Sequence, residues 1–254
     1  MAERVGIVGI PPLTVIAELH RQQTEIIDLD EPQVKKSLDL TAPHLPRVYC
    51  AVLRTVVLNA MHLTLDRIYI DVGPGKCDCA LHVSTILKDM LSIPVICTRN
   101  QDMEGRGFPL CRSRMPLLKK MQLITHSVRL LKSKQHYPPC TPTAGFWGVP
   151  PRDFSLLTLF PETTHIYGWT RCMENKTPAD LALESQVNPD IPTVFFAQSF
   201  CAKTALARHL AAQHPRGLYL DCDVTAGSSA RAKIEAFFEL SRPSFFREEK
   251  KGWK

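Results

Sequence analysis

The stretch between Arg67 and His82 constrains the fold more than any other part of the chain. An apolar, β-branched run over 68–72 stops at Gly73-Pro74-Gly75, two thiols follow at Cys77 and Cys79, and a helical pattern begins at once. This reads as a buried strand passing through a tight turn into a helix. In open α/β folds the loop that follows a strand lies at the carboxyl edge of the sheet, where ligands bind. The two thiols therefore stand at a position where chemistry is concentrated.

The same alternation runs through the first hundred residues. A strand over 5–10, closed by Pro11-Pro12, precedes a helix over 13–21 and a strand over 25–30. A helix over 45–63, with Pro46 and Cys50 in its first turns, leads to the strand over 68–72. A helix over 79–91 and a strand over 94–97 follow. Strands alternating with helices imply a parallel sheet covered on both faces. Gly6-Ile7-Val8-Gly9 is followed by two prolines in place of a third glycine, so the dinucleotide-binding fingerprint is absent.

A basic helix is expected over 116–131, and the proline-rich stretch 133–144 reads as a linker. The second half repeats the pattern, with strands at 164–169, 193–197 and 217–223 and helices at 154–160, 202–213 and 228–240. A charged, frayed tail is expected over 245–254. The expected organisation is two α/β lobes, 1–132 and 145–254, each too small for a closed α/β barrel. The cleft between them is the natural site.

Composition narrows the function. The 254 residues include 44% hydrophobic and 22% charged side chains, with a net charge of +6 spread along the chain. That is enough to bury a core, and the mild positive balance suits an anionic ligand such as a CoA thioester or nucleotide, or nothing in particular. No apolar run reaches the ~18 residues of a membrane span, and the start lacks a charged-then-apolar leader. The expectation is a cytoplasmic chain with no membrane or nucleic-acid partner. In a reducing compartment nine cysteines favour metal or redox use over disulfides. No H-x-x-H or H-E-x-x-H spacing, G-x-S-x-G elbow or phosphate loop ending in Lys-Ser/Thr is present.

Three thiols stand out. Cys77 and Cys201 each follow a strand, and Cys50 lies early in a helix, where the positive end of the dipole favours thiolate. Cys172 also follows a strand, and Cys79 lies one residue from Cys77, so both are held in reserve. Lys76 and Lys203 flank the thiols and are candidates to tune them. Cys97, Cys111, Cys140 and Cys222 read as structural or core thiols. Spacing alone leaves an iron–sulfur cluster, zinc and no metal all open. Cys77-x-Cys79 is too tight to chelate one zinc comfortably, and no second pair lies behind it.

The order of short motifs resembles a known family. Arg47-VYCAVL-Arg54 and Cys77-Asp78 come first, then Gly148-VPPRDFSL-Leu157, Tyr167-GWTR-Cys172 and Phe200-Cys201. Leu218-YLDC-Asp223 and Lys233-IEAFF-Glu239 close the series. This is similar to the 2-hydroxyacyl-CoA dehydratase D-component family, which includes the benzoyl-CoA reductase B and C subunits. The resemblance implies two Rossmann-like lobes and a [4Fe-4S] cluster in the cleft, held by Cys50, Cys77 and Cys201. Asp221 and Asp223 match its acidic strand, and Ile234 to Phe237 its closing helix. The chain is shorter than the family's members, and Lys233 stands where they carry arginine. The resemblance further implies an ATP-dependent activator protein, an acyl-CoA ligand, and a homodimer or a heterodimer with a paralogous subunit. The function it implies is low-potential electron transfer or radical dehydration or reduction of an acyl-CoA-like substrate. A double-cubane-type cluster or zinc is the alternative cofactor. A non-catalytic cluster carrier or accessory subunit, and a zinc-binding or metal-free α/β enzyme, are the alternative functions.

Overall fold

A computed structural model of the chain describes residues 2–131 and 136–241. The first lobe runs β1 (Arg4–Val8), α1 (Leu13–Arg21), β2 (Glu25–Asp28), α2 (Ala51–His62), β3 (Arg67–Asp71), α3 (Asp78–Met90) and β4 (Val95–Thr98). Two helices follow, α4 (Pro109–Arg112) and α5 (Leu117–Ser127). The second lobe runs β5 (Ala144–Trp147), β6 (Thr164–Tyr167), α6 (Trp169–Asn175), α7 (Leu181–Ser185), β7 (Thr193–Gln198), α8 (Thr204–Gln213), β8 (Gly217–Cys222) and α9 (Ser228–Leu240).

Each lobe is a four-stranded parallel sheet. The strand orders are β2-β1-β3-β4 and β6-β5-β7-β8, the same topology twice. The chain is thus α/β, with two Rossmann-like lobes. In each sheet the direction of winding reverses beside the first strand, between β1 and β3 and between β5 and β7. Loops diverge at such a switch point and leave a crevice at the carboxyl edge.

The central strands are largely apolar, because both faces of each sheet are covered. All six residues of β7 and all four of β5 are buried. In the first lobe α2 and α3 cover one face through Leu53, Val56, Val57, Val83 and Leu87. On the other face a single apolar cluster runs from Val5, Ile7, Ile16 and Leu19 through α5 to Phe146, Val194 and Phe196 of the second sheet. Phe146 lies between Phe160 and Phe196, with ring centroids at 5.7 and 5.9 Å.

Helix α5 packs on α6 and on the 3₁₀ turn Phe154–Leu159, elements of the second lobe. Its buried Lys120 donates from Nζ to the Thr164 carbonyl at 2.6 Å, and burial pushes that ammonium down to about 8. The sequence reading placed this helix in the first lobe. Of the linker, residues 133–135 lie outside the described residues, as does the expected tail over 245–254. Cys140 at its far end is tied to the end of α4, its amide donating to the Arg112 carbonyl at 2.9 Å.

Several local expectations need correction. The second helix begins at Ala51, not at residue 45. The amides of His44 and Leu45 are already spent on the Thr41 carbonyl, Pro46 has no amide to give, and Cys50 is an extended N-cap. The segment 154–160 is a 3₁₀ turn rather than an α-helix. Trp169 opens α6 and does not end a strand, because Gly168 turns the chain at φ +71°. Cys97, expected in the core, is exposed because β4 is an edge strand.

Candidate functional site

The carboxyl edges of both sheets open on one cavity of about 790 Å³. Its wall takes Gly9 after β1, Asp28 at the end of β2 and Asp30 just beyond it, and Asp71, Lys76 and Cys77 from β3 and the turn after it. From the second lobe come Arg152 after β5, Trp169 after β6, and Cys201 and Lys203 after β7. Apolar surface from Val52, Leu53, Phe154, Met173 and Leu206 completes it. The volume falls within the ~300–1,000 Å³ usual for small-molecule sites.

Cys50, Cys77 and Cys201 all line this cavity. Cys50 is the N-cap of α2 and Cys77 the N-cap of α3, while Cys201 lies just before the N-cap of α8, Lys203. Three helix N-termini thus present three thiols to one space. The amides of Val52 and Leu53 face the Cys50 sulfur, those of Cys79 and Ala80 face Cys77, and that of Lys203 faces Cys201. At Cys50 and Cys77 these contacts lack the alignment of a capping hydrogen bond. They act as a field of positive partial charge that favours thiolate.

Cys50 and Cys201 meet across the lobes. Their interaction pulls the Cys201 thiol below its ordinary value, with the Lys203 amide and ammonium assisting against burial. The same interaction, with burial, pushes Cys50 up, so the pair releases one proton readily and the second with difficulty. Burial raises Cys77, partly offset by the Ala80 amide.

The reserve thiols fall elsewhere. Cys79 borders a second depression with Cys201, Ser199 and Asp221, while Cys172 is fully buried within α6 and does not reach the main cavity. Asp221 is exposed on β8 and bonded by the Ser199 hydroxyl at 2.6 Å. Among the described residues no group of three or more His, Cys, Asp or Glu side chains is gathered closely enough to hold a single metal ion.

Around the thiols lies a network of charge that spans the lobes. Lys76 pairs with Asp71 at 3.3 Å without an aligned hydrogen bond, and its ammonium sits 4.1 Å from the centre of the Trp169 ring. Burial pushes Lys76 down, opposed by Asp71 and Asp30. Lys203 lies 5.4 Å from the same ring and is clamped by both carboxylate oxygens of buried Glu184 at 2.6 and 2.7 Å. One indole therefore receives an ammonium from each lobe. Burial also raises the carboxyls of Asp28 and Asp30, and Asp30 accepts from the Gly9 amide at 2.8 Å.

Sequence reasoning singled out Cys50, Cys77, Cys201, Lys76 and Lys203, and all five line the cavity. It passed over Asp28, Asp30, Asp71, Arg152, Trp169 and Glu184. A charged residue ending a strand run, as at Asp28 and Asp71, was a usable signal for the carboxylates. Trp169 was hidden by its assignment to a strand.

No protein-family model matches the chain. No curated protein matches it either. Among solved structures MenH from S. aureus aligns over 95% of both chains at 11% identity, with a TM-score of 0.23.

Proposed function

We propose that the chain is an iron–sulfur protein that holds a [4Fe-4S]-type cluster through Cys50, Cys77 and Cys201 in the interlobe cleft. The observation that carries this reading is the convergence of those three thiols, two from one lobe and one from the other, on a single cavity. The donor set suits the group: three soft thiolates, amides directed at sulfur, and a largely apolar surround. A cluster asks for one thiolate per iron, not three around one ion. When bound, it supplies low-potential one-electron chemistry.

The chain's own residues have separable tasks. Lys76 and Lys203 hold positive charge beside the thiolates, and Trp169 fixes both ammonium groups. Asp28 and Asp30, biased toward the protonated form by burial, can hold a proton facing the cavity. The apolar wall excludes water. The activity we assign is radical dehydration or reduction of an acyl-CoA-like substrate, or electron transfer in its service, as in the 2-hydroxyacyl-CoA dehydratase family. An ATP-dependent activator and a second subunit belong to the same proposal, and the cytoplasm is its compartment.

Anaerobic purification and reconstitution, with iron and sulfide analysis and electron paramagnetic resonance, test this reading. Iron and acid-labile sulfide near 4:4 are expected. Cys50→Ala, Cys77→Ala and Cys201→Ala each lose iron, whereas Cys172→Ala retains it. A colourless, iron-free protein after reconstitution refutes the reading. The facing thiols of Cys50 and Cys201 favour a second reading, a zinc-binding or metal-free α/β enzyme. Bound zinc, or activity that survives in iron-free protein, would select it. A cluster without turnover when activator, ATP and 2-hydroxyacyl-CoA thioesters are supplied would indicate a carrier or accessory subunit.

A further inference from the structure

Four permanent or near-permanent cations line the cavity, and three are already matched. Lys76 pairs with Asp71, Lys203 with Glu184, and Arg129 with Glu31 at 3.6 Å. Arg152 is different. Its Nε and Nη1 are shut off from solvent with no hydrogen-bond partner, and its side chain makes no ion pair or ring contact among the described residues. Burial depresses its basicity, and no carboxylate is near enough to offset the loss. Neighbouring Asp153 is committed elsewhere, accepting from the amides of Ser155 and Ala226 at 2.9 and 3.1 Å.

The side chain is half-buried, and shielding two of its three nitrogens without a partner costs stability, while the third stays open to the cavity. The backbone beneath it is also built to stay put. Pro150 and Pro151 precede it, and its own amide donates at 2.9 Å to Oε1 of Gln198. Gln198 is itself buried, its Nε2 donating to the carbonyls of Cys222 and Asp223 at 2.9 and 2.8 Å.

We propose that Arg152 anchors the carboxylate of a small organic acid whose apolar body occupies the cleft. The one guanidinium nitrogen left open to the cavity can donate a charge-assisted hydrogen bond to a carboxylate oxygen. One positive charge balances one carboxylate. A phosphate dianion would keep one unbalanced negative charge, since the other three cations of the cavity are already paired. Val149, the two prolines and Phe154 give the acid an apolar wall beside its charged end. The assignment is independent of whether the thiols hold iron.

Isothermal titration calorimetry on the full chain as isolated provides the test, with hexanoate, benzoate, their neutral amides and inorganic phosphate as probes. The acids are expected to bind, and each amide to bind about 10- to 100-fold more weakly, the worth of a charge-assisted hydrogen bond. Arg152→Met loses the preference for acid over amide, and Arg152→Lys retains part of it. Failure of both acids to bind, amides binding as tightly as acids, or phosphate binding in their place overturns the proposal. A fall in the melting temperature of ligand-free Arg152→Met also overturns it, since that marks the guanidinium as a structural group. Should Arg152→Met fail to fold, the acid–amide comparison in the parent and in Arg152→Lys still decides.

Discussion

Asn100 ties the two lobes together, and Asn100→Ala should cost about 3–5 kcal/mol of stability. The residue is fully buried just after β4. Its Nδ2 donates to the carbonyl of Ile10 at 3.1 Å in the first lobe and to that of Lys176 at 3.0 Å in the second. Its Oδ1 accepts from the Asp102 amide at 2.8 Å. Only this orientation of the amide satisfies two carbonyls and one N–H, so its assignment is set by the network. Alanine removes three side-chain hydrogen bonds worth about 1 kcal/mol each and strands buried partners, each costing ~1–3 kcal/mol if water cannot reach it. The bond from its own amide to Asp71 at 2.8 Å survives. The expected loss is a third or more of a typical folding free energy of ~5–15 kcal/mol. Urea unfolding followed by far-ultraviolet circular dichroism measures it. Asn100→Asp should be at least as damaging at neutral pH, because it turns a carboxylate oxygen toward two carbonyls near Asp71. A loss below ~1 kcal/mol for Asn100→Ala, or an aspartate variant more stable than the alanine variant, would refute the reasoning.

Three further outcomes can be checked on the same preparation. Burial, with Arg106 adding to it, lowers Lys176 from its ordinary 10.5 to about 7, so between those values the unfolded chain binds about one more proton. Stability therefore climbs with pH across that window by up to ~1.4 kcal/mol per unit, and Lys176→Met should flatten the climb. Parallel stability–pH curves for parent and variant would count against it. Phe146→Ala opens a cavity between Phe160 and Phe196 and should cost about 3–5 kcal/mol, read from denaturant midpoints at unchanged slope. Gly75 holds φ +74°, and a methyl group there would lie 2.4 Å from the Ala179 side chain. Gly75→Ala should therefore wedge the thiol loop away from the second lobe, lowering the melting temperature and the iron retained after reconstitution. An alanine variant that keeps both would remove Gly75 from the argument.

The elements were legible in the sequence where local chemistry decides them. Short, β-branched and aromatic apolar runs such as 194–197 read as strands covered on both faces, and Gly73-Pro74-Gly75 reads as the turn that ends one. Allegiance between elements was not legible. Helix α5 carries an apolar stripe with a lysine inside it, and nothing local says that the stripe joins the apolar clusters of both lobes or that Lys120 caps a carbonyl of the second. Edge positions were equally hidden. Cys97 and Ile96 look like core residues, yet the strand order places them on the rim. The thiols could be read because a residue after a strand lies at a carboxyl edge whatever the topology. Trp169 and Arg152 could not, since their meaning depends on what the opposite lobe brings.

That dependence is what makes the cleft more than the sum of two sheets. Neither lobe alone holds a complete arrangement. The first offers Cys50, Cys77 and Lys76, the second offers Cys201, Lys203, Trp169 and Arg152. Lys76 leans on an indole from across the gap, and Cys201 yields its proton more readily because Cys50 faces it. The same strand order in each lobe puts a switch point at each carboxyl edge, and the loops that follow these strands in both lobes line the one cavity. Asn100, the close approach of Gly75 to Ala179 and the Lys120 tether hold the two lobes in contact around this cavity, although none of them lines the thiols themselves.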